Sequence, residues 1–319
     1  MISLSRRGAL LAAAAALAAP AVRAQTPRAI RVTYVSSPFN VPAFVMKQRR
    51  MLEAAFERDG IAVEQPEITS GAQQIQAVAA GAIDVCSVLG DASAILGRAN
   101  GVPLTVMAAF SRSPKAFFIM TMANGPRSIE DLRGKRIAGP TGTTLHQLLA
   151  LALASKGMRL TDVQHINMDL AAARAALLSG AVDAATLASN HVLAVEAAGG
   201  RSIANAEGLF VPMSVVAVRN AFLAQQPQLV QRYLAVHREA LSFMAREPEQ
   251  ALALAAAEQR ISVEDGRRML PWYDFEPRMS DRDIDNMEQN QRFMIENGML
   301  SRRIDIRRDL VHASAFAAG

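Results

Sequence analysis

The 319 residues include one cysteine, one tryptophan and three tyrosines. The lone Cys86 excludes an internal disulfide and any multi-cysteine metal cluster. Charge of one sign is also scarce. There are 34 basic and 29 acidic residues, a formal net charge of +5, and the basic excess forms no tract. A polyanion binder concentrates its basic residues, so nucleic acid is not an expected partner. No apolar run beyond residue 24 approaches the roughly 18 residues of a membrane helix. Enzyme signatures are missing as well. No Gly-x-Gly-x-x-Gly follows the first strand, and no Gly-x-Ser-x-Gly elbow is found. The stretch Gly139-Pro140-Thr141-Gly142-Thr143-Thr144 has the look of a phosphate loop without its Gly-Lys-Ser/Thr ending. His146, His165, His191, His237 and His312 lack zinc-ligand spacing. Cys86 sits in the apolar run Val85-Cys86-Ser87-Val88 and reads as a structural thiol. No cofactor, metal or catalytic residue is therefore expected, and the chain reads as non-enzymatic.

The composition is 51% hydrophobic and 20% charged, which fits a folded chain of about two domains. The amino terminus reads as an export signal. Arg6-Arg7 precede an apolar run from Ala9 to Ala19, Pro20 breaks it, and Val22-Arg23-Ala24 offers a cleavage site. The run is too short to span a bilayer, and the paired arginines resemble a twin-arginine signal. Removing residues 1–24 takes away Arg6, Arg7 and Arg23 and no acid, which lowers the net charge from +5 to +2. The mature chain is expected outside the cytoplasm, in the periplasm.

The mature sequence alternates strand and helix patterns. Arg31–Val35 and Ile61–Ile68 read as strands around a helix over Ala43–Asp59. Further strands are expected at Asp84–Leu89, Leu104–Phe110, Ala116–Met122, Lys135–Ala138, Val163–Asn167, Ala181–Leu187 and Val215–Arg219. This β-α-β order predicts an α/β fold with a parallel sheet and helices on both faces. From Pro227 onward the chain is mostly helical. One echo suggests two similar lobes: Gly81-Ala82-Ile83-Asp84-Val85 recurs as Gly180-Ala181-Val182-Asp183-Ala184. The glycine suits a left-handed helix cap, and the Asp a turn into the strand.

Polar turns fall where strands end and helices begin. They are Ser36–Asn40, Thr69–Gly71, Gly90–Ser93, Thr141–Thr144 and Ser189–His191. In an open α/β sheet these turns lie where ligands bind. Helix amino termini there present free N–H groups that suit a small anion. The same residue types are also preferred N-caps, and capping is compatible with binding.

These residues carry a family resemblance. Pro42-Ala43-Phe44-Val45, the Gly81–Val85 echo, Gly90-Asp91-Ala92, Asp131-Leu132-Arg133-Gly134-Lys135-Arg136-Ile137-Ala138 and Gly180–Ala184 resemble, in order and spacing, the periplasmic substrate-binding proteins of ABC importers, nitrate/sulfonate/taurine branch. The resemblance implies a type II periplasmic-binding-protein fold of two doubly wound α/β lobes. Residues 27–113 and 215–319 would form lobe one, and 114–214 lobe two. Crossovers near 112–115 and 211–214 would form a two-segment hinge that closes on ligand. It further implies a monomer delivering a small-molecule ligand to a membrane permease and its ATPase. By the same resemblance the cleft is lined by Ser37, Phe39, Asn40, Ser70, Gly71, Gly90, Asp91, Thr141, Thr143, Thr144, His146 and Asn190.

Two readings of Asp91 stay open, a helix cap or a contact to a ligand amine or hydroxyl. Arg112 and Arg219 are the candidates for an arginine clamp on a sulfonate or carboxylate. Phe39, Trp272 and Tyr273 are candidates for an apolar wall or for core. Sulfonates, taurine and nitrate lead as ligands. A thiamine-pyrimidine precursor or aromatic carboxylate, or a secreted enzyme or sensor subunit on the same scaffold, is the alternative.

Overall fold

The computed structural model describes residues 27–141 and 143–317, so the signal reading of residues 1–24 lies outside the described residues. Ten strands run in chain order: β1 (Ala29–Arg31), β2 (Ala62–Glu64), β3 (Val85–Gly90), β4 (Leu104–Arg112), β5 (Phe117–Thr121), β6 (Arg136–Gly139), β7 (Gln164–Asn167), β8 (Ala184–Ala188), β9 (Arg201–Asn205) and β10 (Met213–Arg219). The helices between them are α1 (Val41–Gln48), α2 (Met51–Phe56), α3 (Gly71–Ala79), α4 (Asp91–Ala99), α5 (Thr144–Ala154), α6 (Leu170–Leu178) and α7 (Asn190–Ala197). After β10 come α8 (Asn220–Gln225), α9 (Pro227–Arg246), α10 (Pro248–Gln259), α11 (Val263–Met269) and α12 (Asp281–Glu296). Among the described residues no helix is long and apolar enough to cross a membrane.

Both sheets follow one plan. In lobe one β1 pairs with β2 in parallel, and Val32, just past β1, bridges Val85 of β3 in parallel. β10 then lies antiparallel between β3 and β4, which gives the order β2-β1-β3-β10-β4. In lobe two the order is β7-β6-β8-β5-β9, with β6, β7 and β8 parallel and β5 antiparallel to both neighbours. The antiparallel strand is in each case the one that has just arrived from the other lobe. The expected parallel sheet is thus mixed in each lobe, with one antiparallel strand among its parallel ones. A strand that enters from outside the βαβ succession is free of the handed crossover that keeps the others parallel. Apolar clusters cover both faces of each sheet, so both lobes are doubly wound. The fold is the type II periplasmic-binding-protein fold.

Three local readings change. The helix expected over Ala43–Asp59 is interrupted at Arg50, which takes a left-handed φ of 51°, before α2 resumes and Gly60 ends it at φ +67°. β9 carries too little apolar pattern to be read from sequence. The echoed Asp does more than start a turn. Asp84 Oδ2 accepts the Arg31 backbone N–H at 3.0 Å and its Nε at 3.1 Å, and Oδ1 accepts Nη2 at 3.0 Å. Asp183 binds Arg136 through the same three donors at 2.9, 3.2 and 3.2 Å. The echo is thus one clasp made twice, tying the third parallel strand of each lobe to the first.

Candidate functional site

The polar turns close the carboxyl ends of the parallel strands, and each opens a helix. Ser70 caps α3 by accepting the Gln73 N–H at 3.5 Å. Thr143 caps α5 by accepting the Leu145 N–H at 3.2 Å and donates its hydroxyl to Pro140 O at 2.8 Å. The Thr141 N–H donates to Asn167 Oδ1 at 2.9 Å. Gly71 has no room for a side chain, since a Cβ there would lie 2.2 Å from Ser93 Oγ. Its absence lets α3 lie close to α4.

The twelve predicted residues divide by exposure. Ser70, Thr141 and Thr143 are exposed, while Ser37, Gly71, Gly90, Thr144, His146 and Asn190 are half-buried. Phe39, Asn40 and Asp91 are closed off from solvent. Phe39 packs against Phe44 and Tyr273 at centroid distances of 6.4 and 6.2 Å. Asn40 donates its amide to Val35 O at 2.9 Å, holding the loop that ends at α1. Asp91 accepts the Ala92 N–H at 2.9 Å and the side-chain amide of Asn290. Burial pushes the Asp91 carboxyl up to about 7, against the lowering effect of those hydrogen bonds.

The two lobes meet around these turns. Asn290 of α12 also accepts from Gln147 Nε2 of α5 at 2.7 Å, so a buried chain runs from Asp91 in lobe one to Gln147 in lobe two. On the other flank, Phe118 of β5 meets Trp272 edge-on at 5.2 Å. Ser189 directs its hydroxyl at Met269 Sδ at 3.8 Å, and Arg268 pairs with Glu196 at 2.7 Å. Ser189 is fully buried with φ 56° and ψ −140°. That backbone region costs a residue with a Cβ about 1–3 kcal/mol and clusters at functional turns.

Neither candidate clamp arginine stands free. Arg112 is spent on Asp283 at 2.6 and 2.7 Å and on the Glu276 and Arg278 carbonyls. Arg219 donates to Asp84 at 2.6 Å. The polar turns themselves contain no Lys or Arg. His146 and His165 stack with centroids 4.8 Å apart, and burial, with each ring near the other, lowers the pKa of His146. Among the described residues no three His, Cys, Asp or Glu are grouped to hold a metal ion. Cys86 has no exposure, and burial drives its thiol up to about 12, which is unsuited to nucleophilic work.

The polar chain through Asn290 has no counterpart in the sequence reading. Gln147 and Asn290 are 143 positions apart, and the available signal was the polar spacing 283, 286 and 290 on one face of α12.

Several proteins similar to this chain are named as solute binders. The family model described as NMT1/THI5 like matches residues 56–251. A protein of Escherichia coli (strain K12) named for binding aliphatic sulfonates is 30% identical over 234 residues, 72% of each chain. A taurine-binding periplasmic protein of the same strain is 27% identical over 238 residues, 73% of this chain and 70% of that one. The crystal structure of the periplasmic aliphatic sulphonate binding protein SsuA from Escherichia coli superposes with a TM-score of 0.78 at 25% identity, covering 89% of this chain and 92% of that one. The fold also carries an enzyme. The desulfurization enzyme DSZB matches with a TM-score of 0.67 at 17% identity over 91% of this chain and 98% of its own.

Proposed function

Because the chain belongs to the NMT1/THI5-like family, we propose that its solute is a small organic anion of the sulfonate class, captured in the cleft between the lobes after export to the periplasm and delivered to an ABC permease. The observation that carries this reading is the set of polar turns at the amino ends of α3, α4, α5 and α7, contributed by both lobes and free of Lys and Arg, with their one acid, Asp91, buried and hydrogen-bonded within the protein. A sulfonate keeps one negative charge and three acceptor oxygens throughout the biological pH range. Backbone N–H groups at helix amino ends, with hydroxyls beside them, hold such a group without a counter-charge. Ser37, Ser70, Gly71, Gly90, Thr141, Thr143, Thr144, His146 and Asn190 are assigned to direct contact. Phe39, Asn40 and Asp91 hold the walls in place. Trp272 and Phe118 stand at the junction of the lobes as the apolar side for an organic tail.

Cys86 argues against a thiol-dependent enzyme on this scaffold, because the one thiol is inside the sheet of lobe one. The test is a thermal-shift screen of residues 25–319 with taurine, alkanesulfonates, nitrate, aromatic carboxylates and aminopyrimidines. A ligand at 100 times its Kd adds about 2.7 kcal/mol of stability. A saturable shift confined to sulfonates is expected. A shift confined to another class, or none at all, overturns the assignment.

A further inference from the structure

One face of α12 touches every segment that joins the lobes. Asp283, Asn286 and Asn290 stand at i, i+3 and i+7 and share that face. Asp283 grips Arg112, where the first crossover leaves β4, through two bonds of 2.6 and 2.7 Å. Burial pushes the Asp283 carboxyl up, and the bonds from Arg112 and Ser280 outweigh it and hold it below the usual carboxylate range. Asn286 pairs with Val211 on the returning crossover as a strand would. Its Oδ1 accepts the Val211 N–H at 3.0 Å, and its Nδ2 donates to Val211 O at 2.8 Å. The two crossovers are joined to each other by the Ser113 N–H to Pro212 O bond at 2.9 Å. Asn290 then reaches past the hinge to Gln147 of lobe two while holding Asp91 of lobe one. All three stripe residues and Gln147 are buried.

We propose that this stripe sets the angle between the lobes, with Asp283, Asn286 and Asn290 as positioning residues and Gln147 as the point at which they hold lobe two. The proposal rests on the reading of the protein as a two-lobed binder and adds the element that fixes its rest position. A buried polar group left without its partner costs far more than the bond between partners gains. Two neighbouring residues could satisfy each other locally, whereas Asn290 Oδ1 and Gln147 Nε2 meet only when the lobes are in this arrangement. Arrangements that part α5 from α12 leave that oxygen and that amide nitrogen to find water, while Asn290 Nδ2 stays on Asp91. The Asn286 pairing has the same consequence for the crossover, which cannot twist at Val211 without breaking two bonds.

The test measures the distance between spin labels at Asn100→Cys in lobe one and Ala181→Cys in lobe two, without any ligand. Both positions are exposed, and fully buried Cys86 stays unlabelled. Gln147→Met keeps the side-chain length and removes the bond to Asn290. Loss of one buried hydrogen bond predicts about a fivefold fall in the population of this arrangement relative to those in which α5 and α12 part, read as a second distance gaining weight in the distribution. Asn286→Ala should broaden the distribution. Arg292→Ala, an exposed change on the same helix, should leave it as in the wild type. Wild-type distances in both Gln147→Met and Asn286→Ala would overturn the proposal. Amide exchange in the unaltered protein provides a check that needs no variant. The Val211 amide is expected to exchange as slowly as that of Ser113, and fast exchange at Val211 would also overturn it. Because no ligand enters, a solute screen in which every compound is silent would sink the functional reading and leave these distances to decide the role of α12.

Discussion

Asp91 shows how much one residue's role depends on what stands opposite it. By sequence it is an N-terminal acid on a helix, suited to capping or to a ligand amine. In the structure its two oxygens are taken by Ala92 and Asn290, and water is excluded. Burial raises its pKa from the ordinary 3.8 of an aspartate to about 7. Between those values the native state holds a proton that the unfolded state has released. Its contribution to stability is therefore complete below about 4 and is lost as pH rises through 7. His237 has the opposite sign. Buried and stacked on Phe110 at 5.5 Å, its pKa falls from 6.5 to about 4, so its contribution is complete above 6.5 and is lost on acidification. The two slopes partly cancel over the same window, and a variant is needed to separate them. Asp91→Asn removes the first slope alone. Urea denaturation at pH 5 and pH 8 should show the variant gaining on the wild type at the higher pH. An equal difference at both pH values would mean that the Asp91 carboxyl is not shifted.

The elements repeat more faithfully than the residues within them. The two Asp–Arg clasps use the same donors in the same order, yet their burial differs. The Asp84 side chain is 1% exposed and also holds Arg219, whereas that of Asp183 is 29% exposed and pairs with an Arg136 that is 44% exposed. Removing one partner of a buried pair costs about 3–5 kcal/mol, while a solvent-exposed pair contributes at most about 1 kcal/mol. Asp84→Ala should therefore destabilise the protein several times more than Asp183→Ala, measured as the midpoint shift in urea. Equal losses would mean that the clasp acts through its backbone bond alone. The five-residue echo was legible because glycine caps and apolar strand starts are local chemistry. The clasp was not, because Arg31 and Asp84 are 53 positions apart. The turns opening α3, α4, α5 and α7 could be placed from sequence by their caps and strand ends. Periodicity placed β5 and β10 but could not orient them, since an apolar strand looks alike in either direction. Arg50 broke a helix whose apolar pattern runs on, because its left-handed backbone leaves no trace in side-chain spacing. Neither candidate clamp arginine proved free, since acids distant in sequence, Asp283 and Asp84, had already taken them.

For the whole molecule, the contact between the lobes decides how it responds to its surroundings. One flank is the buried Asp91–Asn290–Gln147 chain beside Ala150, which packs with the apolar cluster of lobe one that includes Met287 and Met294. The other is Trp272 on Phe118, Ser189 on Met269 and the Arg268–Glu196 pair. Only that last pair is open to screening, with side chains 50% and 35% exposed. Such a pair contributes about 0–1 kcal/mol, and it weakens as the Debye length shrinks to about 3 Å in molar salt. The apolar and buried contacts do not weaken with salt. The single tryptophan reports on this balance, since separation of the lobes would expose Trp272 to water and move its emission to the red. Raising salt from 0.01 to 1 M should therefore leave the emission maximum unchanged, and Phe118→Ala should shift it red at both ends of the range. A red shift caused by salt in the unaltered protein would show that charge, and not buried packing, holds the lobes together. The stripe on α12 would then be carrying less of the closure than its burial implies.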